Sequence, residues 1–383
     1  MAREKYDAQK EHEVVGMYPG IKGLELGAAE GLKITMVPET PRFYRPIAPR
    51  DNYHMLLREH KTPYWVPYNG WVMCDVNEFR PRQHPDNVAN HQCMDGGEFV
   101  DYEAIGMVQK GWFNMPLEWE PNCMGATVRP GSDLMPTLDN WESLDWPDLD
   151  KVDWEEMREM NKGYLDVDKA NQLGIQLTIW ERLMCLMGVD NAAVALLDED
   201  QEDDLHAFLD RLSDLLVDYI RRVSGIGRID SVMLHDDWGT QNAPFFSLEV
   251  AREVFVPPMK KIVDFCHAND IVVEHHCCGN ATPLVPAMLE VGSDYWCPQL
   301  GCNDVDKLIA EYGDADFAFS VYSPTLEECQ SVEEARECGY KWFEKYEGKK
   351  VLLQQNCFNF EYYQAFTDAV YEASRKAYQT IED

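Results

Sequence analysis

From residue 230 to its end, the chain repeats one unit. A short β-branched or aromatic run is followed by an amphipathic stretch, five times in succession. Strands are expected at 230–234, 271–275, 294–297, 317–321 and 351–355. Helices are expected at 247–268, 282–291, 305–312, from 331 to about 348, and at 361–380. Pro257-Pro258 should break the first of these. Thr282-Pro283 supplies a start and Gly292 a stop for the second, and Ser331 with Glu334 forms a capping box for the fourth. Strands alternating with helices imply a parallel sheet, because each parallel step needs a crossover. A closed (β/α)8 TIM barrel and an open doubly wound sheet both fit this pattern. No Gly-x-Gly-x-x-Gly turn follows a strand, which disfavours a dinucleotide site. Polar residues end every strand here, and that favours the α/β barrel.

The first half is less regular. Residues 1–45 look like an N-terminal arm, punctuated by Gly20, Gly23, Gly27 and Gly31, and the barrel is expected over 46–383. A short helix fits 51–61, and an extended segment runs from Trp65 past Trp71. Residues 74–153 are rich in aromatics, Pro, Gly and Asn and read as an irregular capping insertion. A helix follows at 154–162. Between 202 and 223, Leu205, Phe208, Leu209, Leu212, Leu215, Leu216, Tyr219 and Val223 recur at helical spacing.

The net charge of −34 repels phosphate backbones, so nucleic acid is not an expected partner. No run approaches the ~20 apolar residues of a membrane span. Residues 1–10 have no apolar core of the signal-peptide kind. A cytoplasmic setting is therefore expected, with the 12 cysteines reduced: buried fillers, ligands or reactive groups.

In a barrel the strand ends converge on one rim. Here they read His235-Asp236-Asp237, His276-Cys277-Cys278, Cys297-Pro298-Gln299, Tyr322-Ser323 and Gln355-Asn356-Cys357. Imidazole and thiolate are natural ligands of Zn²⁺. His276 and Cys278 lie on one side of an extended segment, and His275 and Cys277 on the other. A one-residue shift of phase would swap the pairs. Gly279 favours the first pair, since the chain must turn there. Cys357 is a candidate third ligand. Three protein ligands would leave the open position of a catalytic zinc. His235, Asp236 and Asp237 are candidate catalytic or ligand-orienting groups, although a carboxylate there is often a turn or helix-end residue. Tyr68, Trp71, Trp238, Trp296, Gln299 and Tyr322 are candidate substrate contacts, with most aromatics expected in the core. His54, His84 and His91 read as ordinary histidines.

Several of these stretches resemble the uroporphyrinogen decarboxylase superfamily. They are Asp236-Asp237-Trp238-Gly239-Thr240-Gln241, the segment 255–261, His276-Cys277-Cys278-Gly279-Asn280, Gly292-Ser293-Asp294 and Pro298-Gln299. Gly125-Ala126-Thr127-Val128-Arg129-Pro130-Gly131, with Trp141-Glu142 and Trp146-Pro147-Asp148, is similar to a stretch of its corrinoid-dependent methyltransferases in anaerobic O-demethylase systems. The resemblance runs from about residue 45 onward and implies a zinc held by His276, Cys278 and Cys357. It implies methyl transfer from a small methylated donor to the Co(I) corrinoid of a separate corrinoid protein, because the chain has no Asp-x-His-x-x-Gly cobalamin motif. The alternatives are transfer from a methyl-corrinoid to a zinc-bound thiol, a non-catalytic corrinoid-binding or metal-storage role, and decarboxylation. The decarboxylase fits poorly, since 64–73 carries no arginine cluster to grip a polycarboxylate. A homodimer is compatible with the chain.

Overall fold

Eight parallel strands form a sheet that nearly closes on itself. A computed structural model describes residues 3–19, 39–69, 75–79, 108–110, 112–120, 125–129, 131–326, 329–356 and 359–382. The strands are β1 (Tyr68–Asn69), β2 (Val76–Phe79), β3 (Ala170–Ile175), β4 (Ser231–His235), β5 (Val272–His276), β6 (Tyr295–Trp296), β7 (Ala318–Tyr322) and β8 (Val351–Gln354). Their spatial order is β1-β8-β7-β6-β5-β4-β3-β2. Every described pairing is parallel. β1 and β2 end the order, and the Asp75 N–H donates to the Tyr68 carbonyl between them at 2.9 Å. This is the expected (β/α)8 barrel.

The main helices are α1 (Pro49–Leu57), α2 (Trp180–Met187), α3 (Glu202–Val223), α4 (Val256–Ala268), α5 (Val285–Val291), α6 (Val305–Tyr312), α7 (Val332–Tyr346) and α8 (Phe360–Tyr378). α3 spans the range its apolar spacing marks. It buries Phe208, Leu209, Leu212 and Leu216, each contributing roughly 1.5–3 kcal/mol. Acidic residues start it and Arg221 and Arg222 end it, matching its dipole. On α7 the Ser331 hydroxyl accepts from the Glu334 N–H, while the Glu334 carboxylate accepts from Gln330 N–H, one residue earlier than a strict capping box.

Pro257-Pro258 does not break its helix. A π-helical turn at Ala251–Phe255 precedes α4, and both prolines sit in the first turn of α4. Proline lacks an N–H and crowds the carbonyl four residues back. The wider π turn and a restarted first turn accommodate both defects without ending the rod. The described part of the stretch at 74–153 carries short strands. It contains barrel strand β2, besides a three-stranded antiparallel sheet of Val108–Lys110, Pro116–Glu120 and Gly125–Val128.

α1 closes the amino-terminal end of the barrel. Its Tyr53, Leu56 and Leu57 pack with Val76, Ala170, Val272, Tyr295, Ala318 and Leu352. A polar layer lies next to that plug. Glu274 accepts from Gln172 Nε2 at 3.0 Å and from the Tyr295 hydroxyl at 2.7 Å, and the Tyr53 hydroxyl donates to Ser231 Oγ at 3.0 Å. The floor is thus filled, and the chemistry is left to the carboxyl-terminal rim. The arm contributes a hairpin, Val14–Tyr18 with Thr40–Phe43, and a short helix whose buried Glu11 makes a two-pronged ion pair with Arg375 on α8. Among the described residues, no helix is long and apolar enough to cross a membrane.

Candidate metal centre at the barrel rim

Strand phase decides which side chains reach the rim. On β5, Val272 joins the α1 plug and Glu274 the polar layer, so His276 and then Cys278 continue on the inward side. His275 and Cys277 point outward into the core, and both are buried. His275 packs edge-on against Trp238 with centroids 4.4 Å apart, and burial pushes its imidazole down to about 3, so it stays neutral. Cys277 Sγ accepts from the Trp238 N–H at 3.2 Å. The phase favoured by Gly279 is the one adopted. Gly279 has φ +73°, a left-handed conformation suited to glycine.

The parallel register sets His276 of β5 beside His235 of β4, and the rings stack 4.2 Å apart at 20°. Asp237 lies two residues beyond His235. Donor atoms of His235, Asp237 and His276 all lie within 4.8 Å of one another. Cys278 Sγ stands 3.5 Å from His276 Nε2. Two ligands at ordinary zinc bond lengths and the tetrahedral angle stand about 3.5 Å apart, so the pair fits one ion. Asp237 accepts from the Cys278 N–H at 2.6 Å, which ties the two rim turns together. Two imidazoles and a carboxylate, with a thiol beside one of the imidazoles, offer donors suited to zinc.

Electrostatics agree with that fit. Burial pushes Asp237 up, but His235, His276 and the Cys278 N–H outweigh it and hold the carboxyl below its usual range. Burial, then the charges of Asp237 and Glu181, push the Cys278 thiol up. A neighbouring cation reverses that effect on a coordinating thiol. Glu181, at the start of α2, meets His235 Nδ1 through its Oε2 at 2.6 Å. Burial pushes Glu181 up to about 7, against the pull of His235.

The other expected residues fall in different places. Asp236 is fully buried and serves the fold. Its Oδ1 accepts from the Ile179 and Glu181 N–H groups at 3.1 and 3.0 Å, and its Oδ2 accepts from Trp238 Nε1 at 2.8 Å. Trp238 and Trp296 are fully buried, so they are core rather than open pocket wall. Trp296 donates to the Cys277 carbonyl at 3.1 Å. Gln299 uses its side-chain carbonyl on the Gly279 N–H and so fixes the turn after Cys278. Tyr322 reaches the rim, where its hydroxyl and the Cys297 thiol hydrogen-bond. It also lines a cleft of about 480 Å³ with Pro298, Val321 and Trp342. Tyr68 lies in a small cavity with Tyr18, Arg45, Asp75 and Lys169, where the arm packs, away from the metal centre. Trp71 and Cys357 lie outside the described residues.

Residues 120–299 match the family model for uroporphyrinogen decarboxylase (URO-D). The match supports the uroporphyrinogen decarboxylase superfamily, whose members are enzymes, decarboxylases and methyltransferases among them. The URO-D span takes in β3, β4 and β5, and hence all four donors and Glu181. No curated protein matches the chain significantly. Within the URO-D span, the nearness of His235 and Asp237 to His276 was not evident from their own strand. The signal was the parallel: His-x-Asp ends β4 as His-x-Cys ends β5, and adjacent parallel strands set such pairs side by side. Glu181 gave no signal, since a glutamate in the first turn of a helix is ordinary.

Proposed function

We propose that the chain is a zinc-dependent methyltransferase. It moves a methyl group from a small methylated donor, such as a methoxylated aromatic, to the Co(I) corrinoid of a separate protein. The observation that carries this reading is the cluster of His235, Asp237 and His276 at the carboxyl-terminal rim, with the Cys278 thiol beside His276. His235, Asp237 and His276 would hold the metal, with Cys278 and Cys357 as further candidate ligands. Zinc bound there supplies Lewis acidity to the heteroatom that carries the methyl group. A decarboxylase for a polycarboxylate calls instead for arginine or lysine side chains at the site, and the rim cluster is made of imidazole and carboxylate with a thiol beside it.

The chain's own residues prepare the place. Asp237, kept ionised between two imidazoles, is fitted to be a ligand rather than a proton donor. Gln299 and Asp237 hold the Cys278-Gly279 turn by its backbone N–H groups, with the thiol beside the His276 imidazole. The cleft beside Tyr322 has the volume of a small-ligand site, with Trp342 and Val321 as apolar wall. The corrinoid protein docks over the rim and leaves by the same side.

The test is anaerobic. Zinc-loaded protein is mixed with free cobalamin reduced to Co(I) and a methoxylated aromatic. The expected result is loss of the Co(I) absorbance in step with release of the phenol. Transfer from methylcobalamin to a thiol, with none from any methylated donor, would reverse the direction. No transfer either way, with zinc bound, would sink the reading.

A further inference from the structure

We infer that Glu181 is a positioning residue for the metal centre, acting through His235. The inference rests on the zinc reading above. Glu181 and the end of β4 grip each other twice. The Glu181 carboxylate meets His235 Nδ1 at 2.6 Å, and the Glu181 N–H donates to the side chain of Asp236, the next residue, at 3.0 Å. Asp236 in turn holds the Ile179 N–H and the Trp238 indole. The Thr178 N–H donates to the His235 carbonyl at 3.0 Å. The first turn of α2 and the last residues of β4 are therefore one fixed unit, and the His235 ring is held within it.

The consequence concerns the two ring nitrogens. With Nδ1 engaged by a carboxylate, the proton sits on Nδ1 and Nε2 is the nitrogen that serves as ligand. A carboxylate behind an imidazole fixes its tautomer and strengthens it as a donor. The stacked His276 ring, 4.2 Å away, keeps the two imidazoles nearly parallel, so a rotation of His235 would move its donor away from the shared ion. The Glu181 side chain is 12 % exposed.

The experiment measures zinc affinity of the apo-protein by competition with a chromophoric chelator. It also records the visible spectrum of the Co(II)-substituted protein. Wild type is compared with Glu181→Gln and Glu181→Ala, and the melting temperature of each apo-protein is taken alongside. Zinc affinity is expected to fall about 10–100-fold in Glu181→Ala, with a changed Co(II) spectrum and an apo melting temperature close to wild type. Glu181→Gln still accepts from Nδ1–H and recovers part of the affinity. Wild-type affinity and spectrum in both variants overturn the inference, whatever the melting temperatures. If Glu181→Ala does not fold, Glu181→Gln alone decides, with wild-type affinity and spectrum as the overturning result. Should wild type itself bind no zinc, the functional reading falls and this inference with it. Should wild type bind and the variants bind equally, this inference alone falls.

Discussion

Replacing Gly279 by alanine tests how tightly the two rim turns are locked. Gly279 has φ +73°, and a Cβ there would clash with the Gly239 carbonyl oxygen and carbon and meet the Thr240 oxygen at 2.7 Å. All three are backbone atoms, which cannot move aside by changing rotamer. From the other turn, a Cβ on Gly239 would meet Asn280 N and the Cys278 oxygen at 2.8 Å. The left-handed conformation costs alanine about 1–2 kcal/mol. Pushing the turns apart adds about 1–3 kcal/mol, as for other overpacked sites. A loss of about 3 kcal/mol is expected from urea denaturation. Gly301→Ala is the matched control: φ is +80°, but nothing lies within 4 Å of the added Cβ. It should cost about 1–2 kcal/mol and leave zinc binding unchanged. Gly279→Ala should also weaken zinc, about tenfold or more, because Cys278 is the preceding residue. Equal costs for the two substitutions, or wild-type zinc affinity in Gly279→Ala, would refute the reasoning.

Two further outcomes concern the fold. Glu11→Ala leaves Arg375 buried without its partner, both side chains being no more than 1 % exposed, and should cost about 3–5 kcal/mol by denaturant melting. A loss below about 1 kcal/mol would show that the arm does not depend on this pair. Burial pushes Asp75 up to about 6, against bonds from Trp65 Nε1 and the Tyr68 N–H. The folded protein therefore holds this proton more tightly than the unfolded chain. Its stabilising contribution is full below about pH 4 and is lost as pH rises through about 6, an effect of about 2–3 kcal/mol. Asp75→Asn removes that slope, so stability measured against pH for the two proteins should diverge between pH 4 and 7, with the variant gaining. Parallel curves would count against a raised Asp75.

Much of the barrel was legible because its later strands are hydrophobic and bounded by strong helix signals. α3 and α6 fall at their expected limits, since their apolar spacing has no competing pattern. β3 was illegible for a physical reason. All six residues of Ala170–Ile175 are buried, but two are Asn171 and Gln172. Asn171 is satisfied by the Leu165 and Arg228 carbonyls, and Gln172 by Glu274 and Tyr295. Tertiary partners thus stabilise amides that sequence patterning counts as exposed. β2 was hidden by its length and by the irregular chain around it. At the site, His276 and Cys278 could be picked out because Gly279 marks where the strand must turn. The nearness of His235 and Asp237 depends on register between strands, which no local pattern states. Trp238 and Trp296 misled because aromatics near strand ends can face either way, and here both face the core.

The central claim is that one metal ion is held where β4 and β5 end. The direct measurement is metal content of anaerobically purified protein, wild type beside His276→Ala, Cys278→Ala and His235→Ala, each checked for folding by circular dichroism. The account predicts about one zinc per chain in wild type and a large loss in all three folded variants. Full zinc retention in folded His276→Ala and Cys278→Ala would contradict it.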